Sequence, residues 1–243
     1  QIHTKFAPDG NTLRTLSNAD IDAAIDRSLK RLGVEQLDLL QFHWWDYDTP
    51  GLQNLVERLV RARQAGKIRL LGATNFDTEN MRKIVSSGAD IVSLQSQYSL
   101  LDRRPEKQMA GLAAQTGVVL LPYGVLAGGF LTGKYLHSPS PSAMNRSLQK
   151  YRLIIDETGG WEAFQKLLGQ LHDIARRNET SIGAIATRWV LDQPHVAAVI
   201  LGVGSRSRAM ENIALANLQI DEQDRHAISD LLQTQAIPAG DMY

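Results

Sequence analysis

Five side chains capable of chemistry follow short apolar runs of the sequence. Each run is typical of a buried strand, and the side chains at the strand ends are Lys5, His43, Asn75, Gln95 and Tyr123. A lysine and a histidine suit proton chemistry at a carbonyl, because an ammonium lowers the pKa of a neighbouring acid and a neutral imidazole can donate to an oxygen. Asn and Gln can bind both sides of a carboxamide, and a tyrosine ring can stack on a planar heterocycle. The set predicts a site for a ligand that carries a carboxamide ring.

A sixth apolar run is followed by residues that could bind the opposite end of this ligand. Residues 196–201 read as a strand, and a glycine turn at Gly202-Val203-Gly204 follows them. The next segment, residues 205–216, is predicted to be a helix that begins with Arg206 and Arg208. A helix N-terminus flanked by arginines binds anions. The predicted ligand is therefore extended, with a phosphate at its far end.

The elements that must position these residues alternate between strand and helix. Six strands are predicted at residues 1–6, 37–42, 68–74, 91–94, 118–121 and 196–201. Such alternation indicates a parallel sheet, and functional residues after successive strands indicate a TIM (β/α)8 barrel. About six βα units are visible, so the first two of the eight are expected to precede Gln1. One domain is predicted over residues 1–243, interrupted by a long Gly- and Pro-containing loop over residues 124–158.

Composition narrows the function classes. The net charge is zero, so no basic field is available for a nucleic-acid backbone. The absence of cysteine excludes disulfides, thiol nucleophiles and thiolate metal sites. No run reaches the roughly 18 apolar residues that a membrane span needs. His3 and His43 have no carboxylates at ligand spacing, so no metal site is predicted.

Each candidate residue also has a structural interpretation. Lys5 can be a surface lysine, and His43, beside Trp44 and Trp45, can be a packed core histidine. Asn75 can simply cap the following helix, and Tyr123 can serve packing. Arg206 and Arg208 can form a solvated helix face. The functional interpretation depends on the coincidence of six strand ends, not on any single residue.

Five stretches of the sequence resemble successive motifs of the aldo-keto reductases. They are Ile-His-Thr-Lys at residues 2–5, Leu-Leu-Gln-Phe-His-Trp at 39–44, and residues 66–76, 95–103 and 126–135. Order and spacing match over essentially the whole chain. The Asn75-Phe76 pair and the Leu-Thr-Gly-Lys stretch ending at Lys134 are the most specific.

This resemblance implies NADPH-dependent reduction of aldehydes or ketones, with NADP(H) bound extended across the barrel mouth. It implies that Lys5 and His43 are catalytic. The cofactor-binding residues that it implies are Thr74, Asn75 and Gln95 at the carboxamide, Tyr123 stacked on the nicotinamide, Gly124, Leu126, Gly128 and Lys134 at the pyrophosphate, Gly202, Gly204 and Arg208 at the adenosine phosphate, and Glu211 and Asn212 at the adenine.

The chain departs from the family pattern at several positions. Many members have Lys-Ser where this chain has Gly202-Val203, and Thr74 and Gly124 stand where serine is usual. An arginine at position 208 favours a 2′-phosphate and hence NADPH. The family's proton donor is a tyrosine supported by an aspartate, and both lie on the segment before the catalytic lysine. Neither position falls within these 243 residues.

Three other functions stay open at the level of sequence. The first is a non-catalytic NADPH-binding subunit, like the reductase-like subunits of potassium channels, or an inactive fragment. The second is a barrel lyase that uses Lys5 as a Schiff base, and the third is a metal hydrolase. We expect a cytoplasmic protein that acts on a small-molecule carbonyl substrate, without nucleic-acid or membrane partners. Its oligomeric state is not readable.

Overall fold

The computed structural model describes residues 1–142, 145–203 and 209–241. Five strands occur within these ranges: β1 (His3–Phe6), β2 (Leu37–Phe42), β3 (Ile68–Thr74), β4 (Ile91–Gln97) and β5 (Val119–Tyr123). The helices there are α1 (Asn18–Leu32), α2 (Leu52–Gln64), α3 (Thr78–Ser86), α4 (Met109–Thr116), α5 (Arg146–Glu157), α6 (Gly160–Arg177), α7 (Ile182–Leu191), α8 (Ala209–Asn217) and α9 (Glu222–Gln233). The strands lie in one sheet in chain order, and β1 to β4 pair in parallel. This is part of an α/β barrel.

The chain forms two compact units. Unit 1 comprises Gln1–Ser96, Gln108–Leu120 and the C-terminal Asp241, and unit 2 comprises Gln97–Lys107 and Leu121–Gly240. No helix in the described part of the chain is long and apolar enough to cross a membrane.

The core of unit 1 lies between the sheet and its helices. In α1 the apolar residues recur at helical spacing, and Ile21 and Ile25 are fully buried. Ser17 caps this helix, since its Oγ accepts from the Asp20 N–H at 3.2 Å and the Asp20 carboxylate accepts in return from the Ser17 N–H.

The core of unit 2 is helical. Helices α5, α6, α7 and α9 contribute to one apolar cluster around Phe130 and Phe164, whose rings meet edge to face. Leu167, Leu168 and Leu171 of α6 are completely buried in it. These helices surround the segment that follows β5.

The prediction of a sixth strand was wrong. Residues 196–201 have no strand conformation, apart from an isolated bridge at Val196. The Ile200 N–H donates to the Pro122 carbonyl of β5 at 2.7 Å. Pro122 has no N–H, so it cannot donate the hydrogen bond that would continue a ladder at this position.

The long loop predicted for residues 124–158 was also partly wrong, because α5 occupies its second half. Asn145 caps this helix by accepting from the Leu148 N–H at 2.9 Å. Tyr151, Ile154 and Ile155 are buried on one face. Their helical spacing was present in the sequence, but the Ser- and Pro-rich residues before it suggested a loop.

A helix that opens at Pro105 is also predicted by the sequence, but Pro105 lies in a short 3-10 turn, Arg104–Glu106, and α4 begins at Met109. The start of the helix predicted at residues 205–216 lies outside the described residues, and α8 is described from Ala209 onward.

Candidate active site

Parallel pairing aligns the predicted catalytic residues of unit 1 on one face of the sheet. Lys5 pairs in register with Gln41 of β2, and His43 follows two residues later, directly after the end of that strand. The His43 N–H donates to the Phe6 carbonyl at 3.0 Å, which joins the ends of β1 and β2. Side chains two residues apart on a strand project from the same face. Lys5 and His43 therefore belong to the same face at neighbouring levels.

His43 is a buried imidazole with an aromatic neighbour. Its side chain is 7% exposed, and burial lowers the pKa of His43 below its ordinary value. The ring lies edge to face with Trp45, with centroids 4.2 Å apart. The Trp45 indole N–H donates to the Pro8 carbonyl at 2.5 Å. At neutral pH His43 is uncharged, and a neutral imidazole can donate a hydrogen bond to a carbonyl oxygen.

The two tryptophans after His43 have different surroundings. Trp45 is 58% exposed, whereas Trp44 is 1% exposed. The Trp44 indole N–H donates to the Thr49 carbonyl at 3.2 Å, and its ring lies against Gly51. Trp44 is therefore a core residue, whereas Trp45 is exposed beside His43.

The three residues predicted to bind a carboxamide lie next to one another. Thr74 pairs in register with Gln95, and the Asn75 N–H donates to the Gln95 carbonyl at 2.8 Å. Asn75 has a φ of 52°, a left-handed conformation that asparagine tolerates, and it turns the chain out of the strand. Thr74 Oγ1, Asn75 Oδ1 and Gln95 Oε1 are buried and have no hydrogen-bond partner in the described ranges. Buried polar atoms in folded proteins are almost always hydrogen-bonded, so these three atoms are available to bind a polar ligand.

In unit 2 the segment after Tyr123 forms a tight glycine turn. Gly124 and Gly128 have φ values of 69° and 66°. A Cβ at Gly124 would lie 2.6 Å from the Tyr151 Oη, and one at Gly128 would lie 2.7 Å from Tyr151 Cδ2. Lys150 on the same helix places its Nζ 5.5 Å from the centroid of the Tyr123 ring. Helix α5 thus packs directly on the residues predicted to contact the pyrophosphate.

A cavity of about 770 Å³ in unit 2 brings together several of the residues predicted for the adenosine end. Gly202, Glu211 and Asn212 line it, together with Leu126, which was predicted to contact the pyrophosphate. Lys134 is exposed beside the cavity residues Thr132 and Gly133, and its Nζ lies 4.9 Å from the centroid of the Tyr135 ring. The predicted residues Gly204 and Arg208 lie outside the described ranges.

Several contacts of these residues were not foreseen from the sequence. Tyr151 and Lys150 were placed in a loop, and Gln41 was treated only as part of a motif. The buried spacing of Tyr151 with Ile154 was the available signal for the first two. Within the described ranges no group of three or more His, Asp or Glu side chains could hold a metal ion.

The sequence profile of the Aldo/keto reductase family matches residues 1–233. The chain belongs to this family. Aldo/keto reductases are oxidoreductases, and carbonyl reduction is their general chemistry.

Individual members of the family are moderately similar to this aldo/keto reductase chain. It is 30% identical to Protein tas of Escherichia coli over 93% of this chain and 70% of that protein. It is 26% identical to the NADH-specific methylglyoxal reductase of E. coli over 93% of this chain and 68% of that protein. The solved glycerol dehydrogenase of Gluconobacter oxydans superimposes with a TM-score of 0.73 at 29% identity, covering 92% of this chain and 67% of that structure.

Proposed function

We propose that this chain binds NADPH and takes part in the reduction of an aldehyde or ketone to an alcohol. The observation that carries the proposal is the set of three unpaired buried atoms on Thr74, Asn75 and Gln95. A primary carboxamide offers two N–H donors and one acceptor. The two amide oxygens can accept from its N–H groups, and the threonine hydroxyl can donate to its oxygen. The donor set therefore fits the nicotinamide end of the cofactor.

Lys5 and His43 have separate proposed roles in this reaction. The bound cofactor supplies the hydride. His43, uncharged because burial lowers its pKa, donates a hydrogen bond that orients the substrate oxygen and stabilises the charge that develops on it. The Lys5 ammonium favours negative charge nearby and would lower the pKa of the proton donor that the family resemblance implies, a tyrosine at a position before Lys5, which protonates the alkoxide left by hydride transfer. Trp45, exposed beside His43, contributes a wall for the substrate.

Unit 2 carries the remaining residues proposed to bind the cofactor. Tyr123 stacks on the nicotinamide, and Gly124, Leu126, Gly128 and Lys134 contact the pyrophosphate. Glu211 and Asn212 contact the adenine in the cavity that they line. Arg208 is proposed to bind a 2′-phosphate, which favours NADPH over NADH. One relative is named as NADH-specific, so the two nucleotides have to be compared directly.

The family resemblance also suggests the substrate class, the compartment and the domain organisation. The substrate is a small carbonyl compound, the chain acts in the cytoplasm, and residues 1–243 serve as one reductase domain. These rest on the family resemblance.

Titration of NADPH and NADH, followed by the change in nucleotide fluorescence, tests the proposal. We expect binding that is tighter for NADPH and about tenfold weaker in Gln95→Leu, because one or two hydrogen bonds to the carboxamide are lost. Ser96→Ala is the matched control, since Ser96 follows Gln95 on the strand and projects from the opposite face. Absence of binding by either nucleotide would refute the proposal.

Measuring NADPH oxidation distinguishes a reductase from a non-catalytic NADPH-binding chain. Oxidation of NADPH in the presence of an aromatic aldehyde, followed by absorbance, supports the reductase. Binding of NADPH without any oxidation supports the non-catalytic cofactor-binding chain instead.

A further inference from the structure

A second polar row crosses the sheet of unit 1, one level below His43, Thr74 and Gln95. Gln41 of β2 pairs in register with Lys5 of β1 and with Gly72 of β3. Gly72 in turn pairs with Ser93 of β4. Because residues in register on parallel strands project from the same face, Lys5, Gln41 and Ser93 share the face of the candidate active site. Together with Gly72, these three residues form the lower row.

Gly72 allows the two polar side chains of the lower row to approach each other. A Cβ at this position would lie 2.5 Å from Ser93 Oγ and 3.3 Å from Gln41 Cγ. Gly72 is in β3 and has no positive φ, so backbone conformation does not explain the glycine. The reason lies in the space above its Cα, which Gln41 and Ser93 occupy from either side.

Both side chains are buried without satisfied hydrogen bonds. Gln41 and Ser93 are each 2% exposed, and Gln41 Nε2 and Ser93 Oγ have no partner in the part of the chain that the structure describes. An apolar pair of similar volume would fill this space without the free-energy cost of an unpaired polar group. Packing alone therefore does not account for a glutamine and a serine here.

On the lower row, Lys5 is the neighbour to which Gln41 can form a hydrogen bond. An ammonium only donates hydrogen bonds, whereas a carboxamide accepts at its oxygen and donates at its nitrogen. Adjacent strands place paired side chains about 5 Å apart at their bases, within reach of a lysine and a glutamine. A carboxylate at position 41 could also accept from Lys5, but it would neutralise the positive charge.

We propose that Gln41 is a positioning residue for Lys5. Its carboxamide oxygen accepts from the Lys5 ammonium, and its Nε2 donates towards Ser93 Oγ, directly or through one internal water. The ammonium is thereby held on the reacting face with its charge intact. This inference rests on the catalytic role proposed for Lys5.

The first test measures Lys5 directly and does not require activity. The full chain is treated briefly with an acylating succinimidyl ester, and the acylation of Lys5 relative to that of Lys30, a lysine that is exposed like Lys5, is read by peptide mass spectrometry. In Gln41→Met, which keeps the length of the side chain but removes its amide, we expect this ratio to rise at least threefold. An unchanged ratio would overturn the proposal.

The second test separates positioning from packing. Gln41→Met should keep the thermal midpoint and the affinity for NADPH, while kcat falls about tenfold and KM is unchanged. Gln41→Glu should restore the slow acylation of Lys5 but not kcat, because its carboxylate compensates the ammonium charge. Wild-type kcat in Gln41→Met, or in Gln41→Glu, would contradict the proposed role, and Ser96→Ala provides the neutral reference.

The two proposals fail in different ways. If wild-type protein does not bind NADPH, the proposed function fails, whatever the acylation ratio. If NADPH binds but Lys5 reacts equally in wild type and Gln41→Met, only the role of Gln41 fails.

Discussion

At the scale of single residues, the burial of His43 makes a prediction about pH. Burial lowers the pKa of this imidazole from 6.5, so the folded chain takes up the proton less readily than the unfolded chain. The contribution of His43 to the free energy of unfolding is complete above pH 6.5. It is lost as the pH falls through the lowered pKa, by at most about 1.4 kcal/mol per pH unit for one proton.

Urea unfolding of wild type and His43→Gln between pH 7.5 and 5.5 measures this effect. We expect the difference in unfolding free energy between wild type and variant to shift against wild type on acidification. Parallel pH curves for the two proteins would show that His43 titrates alike in the folded and unfolded chains.

Asp102 carries a second prediction at this scale. Its carboxylate is 1% exposed and accepts from Arg104 Nε at 2.8 Å and Nη2 at 2.7 Å. Gln97 Nε2 donates to it at 2.7 Å. Removing the guanidinium leaves the buried carboxylate without its ion-pair partner, so Arg104→Met should lower the free energy of unfolding by about 3–5 kcal/mol.

Chemical denaturation measures this loss, and an exposed ion pair provides the control. Lys166 and Glu162 form a pair one helical turn apart on the surface of α6. Lys166→Met should change the free energy of unfolding by less than about 1 kcal/mol. Equal effects of the two substitutions would mean that the Asp102 pair is no more important than a surface pair.

At the scale of elements, the packing of α5 on the glycine turn leaves no space for a side chain at Gly128. Gly128 has a φ of 66°, and an added Cβ would overlap Tyr151. Gly128→Ala should therefore cost about 1 kcal/mol for the backbone and about 1–3 kcal/mol for overpacking, and it should weaken NADPH binding. Gly33→Ala is the matched control, because the φ of Gly33, 67°, is close to that of Gly128 and nothing lies within 4 Å of the added Cβ.

A double-mutant cycle with Tyr151→Ala isolates the contact between the two elements. If α5 packs on the turn through this ring, Gly128→Ala should cost less in the Tyr151→Ala background than in wild type. Strictly additive losses would show that the contact contributes nothing.

At the scale of the whole molecule, the residues proposed for the carboxamide, Thr74, Asn75 and Gln95, belong to unit 1, and those proposed for the adenine, Glu211 and Asn212, belong to unit 2. Hydrogen exchange with NADPH should show added protection around Asn75 and Gln95 in unit 1 and around Asn212 in unit 2, because a ligand that binds only the folded state suppresses local opening. Adenosine 2′,5′-bisphosphate, which lacks the nicotinamide, should protect only the residues of unit 2. Protection of unit 1 by this fragment would argue against the assigned carboxamide site.

The sequence by itself determined which side chains stand at the strand ends and in what order. Apolar runs of strand length, ended by Lys5, His43, Asn75 and Gln95, depend only on local composition. Parallel strands then bring their carboxyl ends to the same edge, so the face shared by Lys5 and His43 was predictable. The family followed from the same motifs, because their spacing is a property of the chain alone.

Only the tertiary structure decided how neighbouring residues of the same type divide their roles. Trp44 and Trp45 are adjacent and chemically identical, but one is buried against Gly51 and the other is exposed beside His43. In the structure, the segment predicted as a sixth strand is not a strand, and its Ile200 N–H donates to the Pro122 carbonyl. Tyr151 packs against Gly124 and Gly128. The physical reason is that burial and close approach depend on contacts between residues distant in sequence, and local patterns contain no record of them.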